Sequence, residues 1–142
     1  VTGVQTCALP ISDLLSWADY LFLLQNGQIV QKGKPHELYS KPIDEYTAGL
    51  LGEYTRIDSS DSPTLLALFQ NGTTECIFPF FVRPEQFYFT QKSSNSIEVV
   101  IENIHFMGGH FLIEVKYGNK ILMVQSNRFE SFPGNLAFIS YR

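Results

Sequence analysis

The chain has 142 residues, a formal net charge of −4, 44% hydrophobic and 14% aromatic residues. That is enough apolar material for the core of about one ordinary domain, and the acidic balance argues against the basic face that nucleic-acid binding needs. Cys7 and Cys76 stand far apart with no CxxC spacing, which excludes a disulfide framework, and no apolar run approaches the roughly 20 residues of a membrane helix.

Val1–Ser12, VTGVQTCALPIS, has no clear periodicity, and Pro10 falls just ahead of the first helix. It lacks the basic start and continuous apolar centre of a signal peptide, so a reducing cytoplasm is the default expectation. The stretch resembles a translated sequencing adapter joined to a gene, and it is expected to be an artefact. The rival reading is a genuine N-terminal strand.

Asp13–Trp17 is apolar enough to end an amphipathic helix, and Asp19 breaks the run. Tyr20–Leu24 has strand composition and length. Asn26-Gly27 favours the positive φ of a type I′ turn, and Gln28–Gln31 returns as the partner strand. Gly33-Lys34-Pro35 ends the hairpin, and Pro35 suits the first position of a helix over His36–Tyr39. Pro42 separates it from a second helix, Asp44–Leu51, which Gly52 closes in a left-handed conformation.

The ordered set Ala18-Asp19, Asn26-Gly27, Ile29-Val30-Gln31, Gly33, Pro35, Glu37-Leu38-Tyr39, Pro42 and Ala48–Gly52 resembles the end of the nucleotide-binding domain of ABC importer ATPases. Asp19, Gly27, Gly33, Pro35, Tyr39 and Gly52 are the positions that carry this tail motif. The resemblance implies that a switch histidine would lie a few residues before Asp13. Counting back four places reaches Leu9, inside the suspect stretch. The phosphate loop, the family signature and the catalytic base would lie further upstream. Phosphoryl transfer depends on those parts for positioning and charge stabilisation, so no catalytic residue, no cofactor and no metal is expected here, and ATP and magnesium belong to the parent protein. One near-match is rejected: five residues, not four, separate Gly27 from Gly33, and Pro35 stands where Ser or Thr would bind magnesium.

Glu53–Pro63 is polar and Ser/Asp-rich and is expected to be a linker. Beyond it lie short apolar runs, Thr64–Phe69, Cys76–Val82, Phe87–Thr90, Ile97–Ile101, Phe111–Val115, Ile121–Val124 and Leu136–Tyr141. Gly/Asn turns separate them, which predicts a small barrel or sandwich. Val82-Arg83-Pro84-Glu85-Gln86-Phe87 is similar to the Arg-Pro-Glu signature of the TOBE domain, the OB-like module appended to importer ATPases. Ile97–Glu102 and Met107-Gly108-Gly109 fit the same module. The expected organisation is therefore α+β: a hairpin and short helices of an ABC ATPase tail over 13–52, a linker over 53–63, and a mostly-β OB-like TOBE barrel over 64–142.

Candidate sites are few. Arg83 and Glu85 either pair or bind an anion, or else Pro84 fixes a strand entry and the charges hold the turn. His105 and His110 flank a Gly-Gly hairpin, but their odd spacing places them on opposite strand faces unless the glycines bulge, and no nearby carboxylate completes a metal set. His36 reads as solvated. Phe78, Phe80, Phe81, Phe87, Tyr88 and Phe89 would suit base stacking, but only Arg83 and Lys92 lie near, so an aromatic core or dimer contact is expected. Asn71-Gly72-Thr73 matches a glycosylation sequon and reads as a turn.

The resemblance implies the C-terminal part of an importer ATP-binding subunit, with dimerising and regulatory roles. Its partners would be a second ATPase subunit and a membrane permease, with a small ligand at the TOBE module, on the cytoplasmic face of the cell membrane. The alternative is a stand-alone oxyanion-binding TOBE module, and a further rival is an OB-type nucleic-acid binder.

Overall fold

The computed structural model describes residues 11–70 and 77–142, apart from the side chains of residues 11 and 12. The first ten residues with Cys7, and the stretch 71–76 with its sequon and Cys76, lie outside the described residues. The chain divides into two compact units, Val1–Gly52 and Glu53–Arg142. The architecture is α+β: a hairpin with short helices, then a β-rich unit around a five-stranded antiparallel sheet.

In the first unit, α1 (Ile11–Trp17) leads into β1 (Leu21–Gln25) and β2 (Gln28–Gly33). Asn26 and Gly27 have φ of 51° and 77°, the pair of positive values that a type I′ turn requires. The register slips between Leu23↔Gln31 and Leu24↔Ile29. That bulge leaves Val30 out of the ladder and lets it pack beside the small core of Leu23, Leu38 and Leu51. Leu24 and Ile29 are left facing out.

Pro35 opens α2 (Pro35–Ser40) as expected, because its fixed φ suits the first turn. Asp44 caps α3 (Glu45–Leu50): its Oδ1 accepts from the Thr47 amide at 2.8 Å, and Thr47 Oγ1 accepts from the Asp44 amide at 3.3 Å. Gly52 follows α3 with φ of 142°.

In the second unit, β3 (Thr55–Ile57) pairs with β4 (Phe80–Val82), so the stretch expected as a linker carries a strand. Thr64–Phe69, grouped with the strand-like runs, is instead mostly helix α4 (Pro63–Ala67). Ser62 Oγ accepts from the Leu65 amide at 3.2 Å and Pro63 fills the first turn, a local N-terminal signal that outweighs the apolar run. A 3-10 turn, Pro84–Gln86, leads into β5 (Phe87–Thr90). β6 (Ile97–Phe106), β7 (Phe111–Tyr117), β8 (Lys120–Ser126) and β9 (Leu136–Tyr141) complete the sheet in the order β5-β9-β6-β7-β8.

The sheet curls into an OB-like barrel. Its outer strands β5 and β8 approach each other, and β8 also lies against β3, where the Met123 amide donates to Thr55 Oγ1 at 3.1 Å. Alternation fills the interior: Ile97, Val99 and Ile101 from β6, Ile113 and Val115 from β7, and Leu122 and Val124 from β8 are all buried. Each such side chain contributes about 1.5–3 kcal/mol by burial. Phe69 stands edge-on to Phe80, Phe87 and Tyr141 at centroid distances of 5.1, 6.1 and 4.7 Å. Most of the aromatic cluster is thus spent on the core. β6 serves two neighbours: β9 along Ile97–Val100 and β7 from Val100 onward, with a bulge at Glu102 near the point where β9 leaves it.

Candidate functional site

Tail-motif residues of the first unit build local geometry. Gly27 supplies the turn. Gly33 is buried where a Cβ would stand 3.4 Å from Leu38 Cδ2, so the backbone comes close to the core leucine. Pro35 is buried beside it, Tyr39 packs against the Leu23–Leu38–Leu51 cluster, and Asp19 is exposed. Sequence reasoning missed the role of Gln31 within its own motif. Gln31 Nε2 donates to the Lys41 carbonyl at 3.1 Å and its Oε1 accepts from the Ile43 amide at 3.2 Å, which ties the α2–α3 connection to β2. Tyr46 adds a bond from its hydroxyl to the Leu24 carbonyl at 2.7 Å.

At the Arg-Pro-Glu corner the two charges part. Arg83 is 2% exposed, and its Nη1 donates to the Glu53 carbonyl at 3.1 Å. Its amide donates to Gln86 Oε1 at 2.8 Å, while Pro84 fixes the backbone of the 3-10 turn. Glu85 points to solvent.

His105 lies on β6 opposite Leu112, while His110 sits in the hairpin turn, where its carbonyl accepts from the Met107 amide at 2.9 Å. The carboxylate that sequence reasoning did not find is Glu114. Its Oε1 lies 3.2 Å from His105 Nε2, and its Oε2 accepts from Asn103 at 2.6 Å. The Asn103 bond, opposed by partial burial and aided by His105, holds the Glu114 carboxyl below its usual pKa. The signal was available, since a turn at Met107–His110 makes Glu114 the diagonal neighbour of His105. Among the described residues no three His, Cys, Asp or Glu side chains converge as a metal site would require.

Clefts open on the second unit among the described residues. One, of about 530 Å³, lies between the Ser60–Ser62 loop and the β7–β8 turn, and the Lys120–Asp61 ion pair closes its wall. Burial disfavours the Asp61 charge, but hydrogen bonds from Lys120 and from the Asp58 amide (2.8 Å) outweigh it and lower its pKa. Two others adjoin each other, at about 520 and 450 Å³, and share Phe89, Ser126 and Arg128. No helix among the described residues is long and apolar enough to cross a membrane.

No family model matches the chain. It is 24% identical over 123 residues to the spermidine/putrescine import ATP-binding protein PotA of Aster yellows witches'-broom phytoplasma (strain AYWB), covering 80% of this chain and 30% of that protein. It is 26% identical to the protein of the same name from Clostridium novyi (strain NT), covering 80% of this chain and 35% of that protein. The chain thus spans about a third of the length of these curated relatives. Over most of its length the chain is similar to part of the ATP-binding subunits of bacterial ABC importers, with the α+β order of hairpin, short helices and OB-like barrel that the tail and Arg-Pro-Glu motifs led one to expect.

Proposed function

We propose that this chain is the C-terminal part of an ATP-binding subunit of a bacterial ABC importer, the end of the nucleotide-binding domain followed by a TOBE module. The succession of tail hairpin, helix pair and antiparallel barrel, together with the similarity to import ATP-binding proteins over 80% of the chain, supports this reading. The retained part contributes subunit dimerisation and control of transport, and no bond breaking. Its partners are a second ATPase subunit and a membrane permease, and in the whole protein it works on the cytoplasmic face of the membrane, with ATP and magnesium held by residues outside this sequence. The names of the relatives make spermidine and putrescine the cargo to test first.

Two measurements test the proposal. Incubated with ATP and magnesium, the chain is expected to give no turnover above buffer; turnover would overturn the non-catalytic reading. Residues 53–142, exchanged into the Clostridium novyi subunit, are expected to support ATP-dependent putrescine uptake. An exchanged subunit that assembles but cannot couple hydrolysis to uptake would overturn the regulatory one.

The second reading, a stand-alone small-ligand TOBE module, draws support from one observation. The fold brings Arg128 and Arg142, far apart from Glu85 in sequence, to the same polar cleft as Glu85. Single-chain binding without any ATPase partner would favour it.

A further inference from the structure

Only the first half of β6 has neighbours on both edges. β9 pairs with Ile97–Val100, and the next residue closes that ladder: the Ile101 amide donates to the Asn135 carbonyl at 2.9 Å, and the Ile101 carbonyl accepts from the Gly134 amide at 2.7 Å. Beyond the bulge at Glu102, β6 has β7 alone beside it among the described residues. At the tip the Met107 amide donates to the His110 carbonyl at 2.9 Å, so Met107 faces β7. Backbone direction alternates along an antiparallel strand. Asn103 and His105 therefore face β7 as well, whereas the amides and carbonyls of Ile104 and Phe106 point away from it. No hydrogen bond among the described residues takes these groups up.

This edge lacks the usual guards. Edge strands are ordinarily kept from pairing by lysine, proline, bulges or unanswered charge. Asn103–Phe106 holds no lysine and no proline, and the bulge lies before it. The nearby charges are met locally, Glu102 by Lys116 at 3.9 Å and His105 by Glu114 at 3.2 Å. Both ends of the open stretch are apolar. Phe106 and Met107 at the tip, and Phe132 and Leu136 around the start of β9, are each more than half exposed.

We propose that this edge pairs, antiparallel, with the same edge of a second copy of the chain. A two-fold axis at His105 sets Ile104 opposite Phe106 of the second copy, and Phe106 opposite its Ile104. In that register every outward amide and carbonyl of the two residues is hydrogen-bonded, and each Ile104–Phe106 contact is an aliphatic–aromatic cross-strand pair. The Phe106–Phe111 ring contact, 5.3 Å between centroids, extends the apolar strip onto β7. A second copy is favoured over an unrelated peptide because the edge is self-complementary: two apolar residues spaced by two meet each other when read antiparallel. The contact is isologous and uses up both edges, so it closes at a dimer. Its small size makes that dimer weak and reversible. The pairing gives a surface to the dimerising role proposed above and rests on that reading only for its place in a transporter.

Sedimentation velocity tests this on the full chain carrying Leu24→Thr and Ile29→Thr, which remove the exposed apolar pair of the first unit, so that association through that face is not what is read. The sedimentation coefficient is expected to rise with concentration from one chain toward two. Adding Phe106→Lys is expected to abolish the rise, and so is Ile104→Pro, whose lost amide faces away from β7. Phe106 is exposed, so Phe106→Lys keeps its fold, which circular dichroism verifies. Amide hydrogen exchange is expected to slow at Ile104 and Phe106 as concentration rises, while the His105 amide, facing β7, is protected throughout. A chain that stays monomeric, a dimer that survives folded Phe106→Lys, or exchange at Ile104 and Phe106 that ignores concentration would each overturn the proposal. None of these outcomes bears on the importer reading, which the uptake experiment tests separately.

Discussion

Arg83 reaches back from the end of β4 and donates to the Glu53 carbonyl at 3.1 Å, beyond the last rung of the β3–β4 ladder, Thr55↔Val82. One buried side chain thereby joins the start of the second unit to the corner that opens β5. Replacing it with methionine keeps most of the volume but removes the donors, and is expected to cost about 1–3 kcal/mol. Arg83→Ala, which also leaves a cavity, is expected to cost more. Glu85→Ala, on the exposed side of the same turn, is expected to fall within about 0.5 kcal/mol of wild type. Guanidinium denaturation followed by circular dichroism separates these cases; equal effects at Arg83 and Glu85 would contradict the split roles.

Asp61 gives the second unit a defined response to acid. Its pKa is lowered in the fold, so its contribution is present above the unfolded value of 3.8 and is lost as pH falls through the lowered value. Asp61→Asn is expected to cost about 1 kcal/mol near neutrality and to flatten the loss of stability below pH 3.8. Denaturation midpoints measured from pH 6 downward check this. A variant as acid-sensitive as wild type would place the titration elsewhere.

An apolar face remains on the first unit. Phe22, Leu24 and Ile29 are each more than half exposed, and the Tyr20 and Phe22 rings lie 5.3 Å apart on β1 and the residue before it. Contiguous exposed apolar surface promotes association. Leu24→Thr with Ile29→Thr replaces a cross-strand pair with residues that still favour strands, and is expected to reduce light scattering at high protein concentration. The same scattering from the double variant would mean that this face is not what associates.

The two units also differ in how much holds them together. Among the described residues three buried leucines, Leu23, Leu38 and Leu51, centre the first core cluster, against thirteen buried residues in the second. Local opening is easiest where few apolar contacts must break. Limited proteolysis is expected to cut within 13–52 before it cuts the barrel strands. Faster digestion of β6–β9 would reverse the order of stability.

Much of this was legible in the sequence because local chemistry decided it. Asn26-Gly27 fixed a turn, Pro35 a helix start, and the alternation of Ile97, Val99 and Ile101 a strand with one face inward. What was hidden depends on partners distant in sequence. β3 is only three residues long and is defined by pairing with β4 across more than twenty residues, so a polar Ser/Asp-rich context masked it. α4 was masked by its own apolar run, which reads equally well as strand until Ser62 is recognised as a cap. Arg83 was found as part of a motif, but its inward direction was not, because nothing local shows that a guanidinium will spend a donor on a backbone carbonyl thirty residues back. The cleft that Glu85, Arg128 and Arg142 line has no linear signature at all.

The strand order carries a consequence for biosynthesis. β5 finds its only ladder, among the described residues, with β9, although β6, β7 and β8 are translated in between. As the chain leaves the ribosome, the β6–β7–β8 meander can assemble from neighbours, but Phe87–Thr90 must wait beside it unclaimed until Leu136–Tyr141 emerges. Closure of the barrel is therefore a late event, and for that interval the strand edges meant for β9 stand open to any holdase that meets the chain.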